Sequence, residues 1–443
     1  MTNNRLNRVV WRISLPIIFV GATEALDHLI DSLFLARVGV TELGAIAVAD
    51  AVLQLFLLLP LALVDGIQVL TARRVGQRRS AAVGAVFDQG LLLLLLVAGV
   101  STALLKLGWP LLAPWFVESD AVDGAVDGFL QIAAWGIAPT AATFAFGALL
   151  TSLGRTWALV PATIILIVSD VVLDYAFVLG GFGCPALGMR GAALGSLGAE
   201  CLTLLFLAIY TWRRLDTARY GLFRQWRFES HTARLLGRLS LPIAGLLLCG
   251  DLGWFAFFVV LEHVDTHTLA IANLVFTCYL VFSVPSEAFA ETSCSMVARY
   301  VGRNRPDRIG GVLRAAIGGA GIVTIPLLLA SLAAPDAVLA MFAPGAVLMA
   351  DAAASLRVVA LAMLIAIPGE MWFGAVIGTG DTTAAFGISC ALALTRVGLA
   401  WLMAIAMALS PALVWLSLPT VSLVCLLLSW GWMKAGMWRR LAT

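Results

Sequence analysis

Residues 90–105 read GLLLLLLVAGVSTALL, sixteen positions with no charge and no alternation of polar with apolar side chains. A barrel strand alternates, one face to lipid and one to the lumen. A run like this one satisfies its backbone inside lipid only as a helix, where each N–H finds a carbonyl within the same segment. About 20 apolar residues cross a hydrocarbon core about 30 Å thick. Windows of that length recur near 12–36, 43–72, 82–106, 128–152, 158–180 and 191–212, then near 236–262, 268–298, 310–334, 352–377, 384–408 and 412–434. Of the 443 residues 61% are hydrophobic and 12% charged, against roughly a quarter charged in soluble domains. The sequence therefore predicts an all-α membrane protein with twelve transmembrane helices.

Charge orients these helices. Arg73, Arg74, Arg78 and Arg79 follow helix 2, the stretch from Arg213 to Arg238 joins helices 6 and 7, and Arg299 to Arg314 follow helix 8. Basic loops mark the cytoplasmic side, so both termini and the central linker are expected there. Glu118, Asp120, Asp123 and Asp127 after helix 3, with Glu262 and Asp265 after helix 7, fall on the opposite side. The N-terminal MTNNRLNRVVWR leads into a full spanning length that carries acids and lacks a small-residue cleavage site, which reads as a retained first helix and not a signal peptide. The seven cysteines show no CxxC or paired-loop spacing, and all but Cys184 lie in apolar spans, as packed thiols do. Short loops and the lack of targeting segments suggest a bacterial inner membrane. A monomer in the lipid bilayer, with no nucleic-acid partner, is expected.

RISLPI at 12–17 returns as RLSLPI at 238–243, 226 positions later. At the same offset TARRVGQRR (71–79) meets VARYVGRNR (297–305), and LTSLGRT (150–156) meets IGTGDT (377–382), with Gly154 opposite Gly380 and Thr156 opposite Thr382. The chain reads as two copies of a six-helix unit: an N-terminal lobe over 1–212, a cytoplasmic linker over 213–235 and a C-terminal lobe over 236–443. Six crossings return a chain to its starting side. The two six-helix lobes therefore share one orientation, related by a pseudo-twofold axis along the membrane normal, and folds of this kind bind their cargo at or near the repeat interface.

An ionisable group at bilayer depth costs at least about 2.5 kcal/mol, so each is a candidate for function. Glu24, Asp27 and Asp31 in helix 1 are three and four residues apart, on one face, and Asp170 and Asp174 in helix 5 are four apart. Carboxylates packed in a low dielectric resist simultaneous ionisation, so one keeps a proton that it can exchange for a cation. The second copy offers Asp251 in helix 7, Glu287 and Glu291 in helix 8 and Glu370 in helix 10; Glu291 stands opposite Asp65 at the repeat offset. Arg396 in helix 11 is expected to pair with an acid, Glu370 being one candidate. His28 lies off the face of Asp31 and reads as a packed side chain. No histidine pair or Cys/His cluster has transition-metal spacing. Pro60 and Pro285 fall mid-span in helices 2 and 8, and Pro139 and Pro368 interrupt helices 4 and 10; each removes a backbone hydrogen bond and permits a kink.

SLPI at the start of each half, DSLFLARVGVTELGA (31–45), VVLDYAFVLG (171–180), LGMRGAALGS (187–196) and the ARxVG segments after helices 2 and 8 together resemble the multidrug and toxic compound extrusion (MATE) family of antiporters. The resemblance implies two lobes facing a central cavity and export of small lipophilic, mostly cationic compounds in exchange for protons or sodium ions, with no cofactor. It matches Asp31 to the family's helix 1 aspartate, and Asp170 and Asp174 to its helix 5 Asn and Asp positions; Asp at 170 departs from the usual Asn. Asp251 falls near a helix 7 glutamate of the family, and Glu370 near the acidic position of its sodium-linked branch. Glu287 and Glu291 have no family counterpart.

Two alternatives stand beside this reading. A lipid-linked oligosaccharide flippase of the same superfamily would carry anionic pyrophosphate and call for a basic cavity, whereas the spans here hold many acids and few bases. GTGD (378–381) fits the GxGD pattern of intramembrane aspartyl proteases, but the chain lacks the YD motif that supplies the second aspartate. HExxH, GxSxG and P-loop patterns are absent as well, so no enzyme is expected.

Overall fold

The computed structural model describes residues 3–116, 119–225, 228–342, 349–436 and 438–439. Some helical side chains also lie outside the described residues, among them those of Glu24, Asp27, His28 and Asp31. The chain is all-α, and its described residues form twelve long helices: α1 Asn3–Ala36, α2 Val40–Gly76, α3 Ser80–Phe116, α4 Val122–Leu153, α5 Thr156–Phe177, α6 Met189–Arg214, α7 Ser230–Glu262, α8 Thr266–Gly302, α9 Pro306–Ala333, α10 Met349–Gly378, α11 Thr382–Ala406 and α12 Pro411–Ala435. Among the described residues eleven of these, α2 to α12, contain stretches long and apolar enough to cross a membrane. The protein is an integral membrane protein.

The prolines act in different ways. Pro139 cannot donate to the Trp135 carbonyl, and α4 passes through a 3-10 turn at Ala134–Gly136 before its α-geometry resumes at Ile137. The Thr102 hydroxyl of α3 donates to the Ala134 carbonyl in that turn at 2.8 Å. Pro60, Pro285 and Pro368 sit inside helices that continue past them.

The chain packs as two compact units, one of Phe19–Ala244 and the other of Met1–Ile18 with Gly245–Thr443. The first turns of α1 and α7 are thus exchanged between the sequence halves. In the second unit the Ser14 hydroxyl donates to Thr292 Oγ1 of α8 at 2.8 Å, and Trp11 meets Phe289 edge-on at 5.3 Å. In the first unit Ser240 presses its hydroxyl against Gly66 of α2, into the space a Cβ there would fill. Ser14 and Ser240 are equivalent at the 226 offset, and so are Gly66 and Thr292. RISLPI and RLSLPI are alike because each docks on the same position of the other copy's second helix.

Turn geometry repeats as well. Arg78 and Asn304, 226 residues apart, both adopt positive φ, at 59° and 54°. Gly154 and Gly380 do the same at 71° and 86°. The Arg79 amide donates to the Arg74 carbonyl at 3.2 Å, and the Arg305 amide to the Tyr300 carbonyl at 2.9 Å. These are the helix-ending bonds of a left-handed cap, written twice.

Among the described residues, one feature is found in the first copy alone. Asp88 of α3 is fully buried, and its carboxylate accepts the backbone N–H groups of Phe223, Arg224 and Gln225 at 2.9, 2.9 and 3.0 Å. Next to it, the Gln89 amide donates to the Gln225 carbonyl at 3.0 Å and accepts the Glu229 N–H at 2.8 Å. Gly84 lies under the Gly221 backbone, where any side chain would collide. The linker is therefore clamped to α3. At the equivalent place in the second copy Arg314 replaces Asp88.

Candidate functional site

In lipid, helices gain little from burying apolar surface against one another, so close contact falls to small residues and interhelical polar groups. Helix α6 begins with MRGAALGSLGA, and its glycines are spaced for one face. Gly191 lies against the Phe177 carbonyl, Gly195 against the Asp174 carboxylate, and Gly198 against Leu173, whose Cδ1 is 2.8 Å from where a Cβ would stand. This stripe draws α5 and α6 together and leaves room for one carboxylate between them.

Asp174 is fully buried in that space, and Asp170, one turn earlier on the same face of α5, is 1% exposed. Two of the acids expected in the first copy are thus brought together in the protein interior. The side chains of the other three, Glu24, Asp27 and Asp31, lie outside the described residues.

The second copy is built differently. On α7 the small residues Gly245, Cys249 and Gly253 recur every four positions and seat α11. Gly245 meets Phe386, the Cys249 and Cys390 sulfurs are 3.5 Å apart, and Gly253 meets Ala393 and the Arg396 guanidinium. The Ser389 hydroxyl closes the seam by donating to the Leu246 carbonyl at 3.0 Å. This register carries Arg396 onto the face of Trp254, with the guanidinium carbon 4.0 Å from the ring centroid. The sequence points Arg396 to an acid. Arg396 stacks on the ring instead, and no ion pair joins it to Glu370.

Trp254 is itself walled by aromatic rings. Phe276 and Tyr279 of α8 lie 4.6 and 5.3 Å from it between centroids, and Phe257, Phe258 and Trp415 complete the cluster at 5.7 to 6.5 Å. Glu370 of α10 is half-buried and shares a helix face with Gly374 and Gly378, which pack on the backbone of Ala290 and Cys294 in α8. Its Oε2 is buried and has no hydrogen-bond partner among the described residues; the same holds for Arg396 Nε. Tyr279 interacts electrostatically with Glu370, Arg396 and Glu287.

The remaining acids are more open. Glu287 is exposed and accepts the Ser283 hydroxyl at 2.6 Å; Glu291 is half-buried one turn later on α8. Asp251 is exposed on α7, one turn before Trp254. Asp381 of the GTGD segment caps α11 by accepting the Ala384 N–H at 3.1 Å, which gives it a structural task.

Sequence reasoning did not reach Gly195, Trp254, Tyr279 or Asp88. The recurrence of small residues at three- and four-residue spacing in α6 was a usable signal for Gly195, since it marks the face on which Asp174 is seated. The aromatic cluster had no such signal, because Trp and Phe are common throughout these spans.

A family model described as MatE matches residues 16–176 and again 242–402, two stretches separated by the same 226 positions as the internal repeat. Among curated relatives, a protein named probable multidrug resistance protein NorM from Agrobacterium fabrum is 32% identical over 143 residues, 32% of this chain and 31% of that protein. Its namesake from Xanthomonas campestris pv. campestris is 27% identical over 324 residues, 71% of this chain and 68% of that protein. Among solved structures, a transporter of the MOP superfamily from Pyrococcus furiosus superposes with a TM-score of 0.89 at 19% identity, over 98% of this chain and 97% of that one. A crystal structure of MATE in complex with MaL6 gives the same TM-score, identity and coverage.

Proposed function

The chain belongs to the MatE family, and on that premise we infer that it is a secondary transporter exporting small lipophilic cations in exchange for protons. The observation that carries this reading is the buried carboxylate pair Asp170 and Asp174 on one face of α5, held against a glycine-lined α6. Neighbouring carboxylates in a low dielectric repel each other's charge, which suits a group that exchanges a proton for a cation. Asp31 on α1 is assigned to the same group.

In the proposed cycle the two six-helix repeats expose one cavity to each side of the membrane in turn. Protons from outside neutralise Asp31, Asp170 and Asp174 and release the bound cation; their loss inside restores affinity. The ion drives the cycle only through its different affinity for the two states. The protein works as a monomer in a bacterial inner membrane, with both termini and the clamped linker in the cytoplasm.

The test is efflux of a fluorescent lipophilic cation from proteoliposomes under an imposed pH gradient or an imposed sodium gradient. Efflux driven by the pH gradient and lost in Asp31→Asn supports the reading. Efflux driven by sodium alone moves coupling to Asp251 and Glu370, and no response to either gradient favours a lipid-linked oligosaccharide flippase.

A further inference from the structure

Arg396 is a costly residue in this position. A guanidinium at bilayer depth needs compensation, and here its described neighbour is the face of Trp254 at 4.0 Å. Among the described residues its Nε is buried without a hydrogen-bond partner and no carboxylate forms an ion pair with it. A carboxylate nevertheless belongs to the same electrostatic group: Tyr279 interacts with both Arg396 and Glu370, and Glu370 Oε2 is buried with no hydrogen-bond partner among the described residues. A cation and an acid each sit with part of their bonding capacity unused, one of them parked on an aromatic ring.

The face of a ring attracts any cation through its quadrupole, and it attracts a weakly hydrated one best. A guanidinium and a quaternary organic cation therefore compete for the same surface, and the face that holds one cannot hold the other. Trp254 also lies among Phe276 at 4.6 Å and Tyr279 at 5.3 Å, which offer further aromatic surface to a ligand with rings of its own. Among the described residues, leaving the ring costs Arg396 Nε no hydrogen bond, and a carboxylate is the partner that would compensate a displaced guanidinium best.

We propose that the Trp254 face is a subsite for the positive centre of an aromatic-sized organic cation, and that Arg396 is a tethered cation that occupies it until the cargo displaces it toward Glu370. The proposal deepens the export reading above and rests on it for the class of cargo. It makes Arg396 a residue that sets affinity and selectivity. A purely structural Arg396 would serve as a prop between α7 and α11, and its removal would loosen the site.

The two roles predict opposite signs. Tetraphenylphosphonium binding is measured by equilibrium titration on the full chain in lipid nanodiscs. Arg396→Ala is expected to bind about tenfold more tightly than the unmodified protein, the scale of one competing cation–π contact. Arg396→Lys, which keeps a charge, stays near the unmodified protein, and Arg396→Ala combined with Trp254→Leu loses the gain. An Arg396→Ala affinity that is unchanged or weaker, or a gain that survives without Trp254, overturns the proposal.

A second measurement needs no variant. Phenylglyoxal labelling of Arg396, located by mass spectrometry, rises when tetraphenylphosphonium is added to the unmodified protein if the side chain leaves the ring. Constant or reduced labelling contradicts displacement. Efflux is assayed separately. Binding at Trp254 without efflux overturns the export reading and keeps the subsite, whereas efflux that ignores Arg396 and Trp254 overturns the subsite alone.

Discussion

The two copies of the six-helix repeat share their turns and have parted company over their charges. In the first, Asp170 and Asp174 are buried between α5 and α6, with glycine in the place where a side chain would otherwise stand. In the second, an arginine lies on a tryptophan among aromatic rings, and no ion pair joins it to Glu370. Backbone devices such as the positive-φ pairs Arg78/Asn304 and Gly154/Gly380 survive duplication because they concern how each helix ends. Side chains in the interior are free to diverge. The proposed division of labour places ion coupling in the first copy and cargo recognition in the second.

The largest effect expected from a single substitution lies in a feature the second copy lacks. Asp88→Ala removes the acceptor of three backbone N–H groups at once, and each unsatisfied buried donor costs about 1 kcal/mol or more. A loss of about 3 kcal/mol is expected in thermal unfolding of the purified protein, with faster protease cleavage between residues 215 and 229. Arg314→Ala, at the equivalent place in the other copy, should be close to neutral; equal losses at the two positions would erase the contrast.

Gly195→Ala comes next. Its Cβ would collide with the Asp174 carboxylate, and overpacking of this kind costs about 1–3 kcal/mol. Coupled efflux should fall further than stability does, because the collision displaces the proposed proton carrier. Gly387→Ala, on α11 where a Cβ meets open space, is the matched control.

The two SLPI serines sharpen the comparison on a finer scale. Ser14 donates to Thr292, so Ser14→Ala should cost about 1 kcal/mol. Ser240 Oγ has no partner among the described residues and faces Gly66, so Ser240→Ala should be neutral or slightly stabilising. A thermal-shift series on both variants reads the difference directly.

The smallest effect is at the surface. The Thr268 amide and hydroxyl bond the Asp265 carboxylate at 2.6 and 2.9 Å and hold its pKa below the usual carboxylate range. The folded value is the lower one, so this cap stabilises fully above the ordinary carboxylate pKa and its contribution disappears as the pH falls through the folded value. Asp265→Ala should therefore lower stability slightly at neutral pH and converge with the unmodified protein in acid, which a pH series of unfolding midpoints would show.

Much of this architecture is legible in the sequence, and for identifiable reasons. Apolar length marks the spans, and the 226-residue offset announces the duplication through motifs such as RISLPI and TARRVGQRR, which sit at helix starts and ends where backbone geometry restricts the residue types. The acids of helix 5 stand out because charge in lipid is rare. The exchange of the α1 and α7 starts left no trace in hydropathy, since a helix reads the same whichever unit it packs on. The sequence points Arg396 to an acid because opposite charge is the simplest compensation. Its true neighbour, Trp254, depends on the register of α7 against α11, which is set by Gly245, Cys249 and Gly253 and becomes visible only when the helices are packed.

The measurement that bears most directly on the division of labour compares Asp174→Asn with Glu370→Gln in proteoliposomes under an imposed pH gradient, following tetraphenylphosphonium efflux and binding in the same preparations. The account predicts that Asp174→Asn abolishes gradient-driven efflux while cargo still binds. It predicts that Glu370→Gln weakens cargo binding while the remaining flux still follows the pH gradient. The reverse pattern, with coupling lost at Glu370 and kept at Asp174, would contradict it.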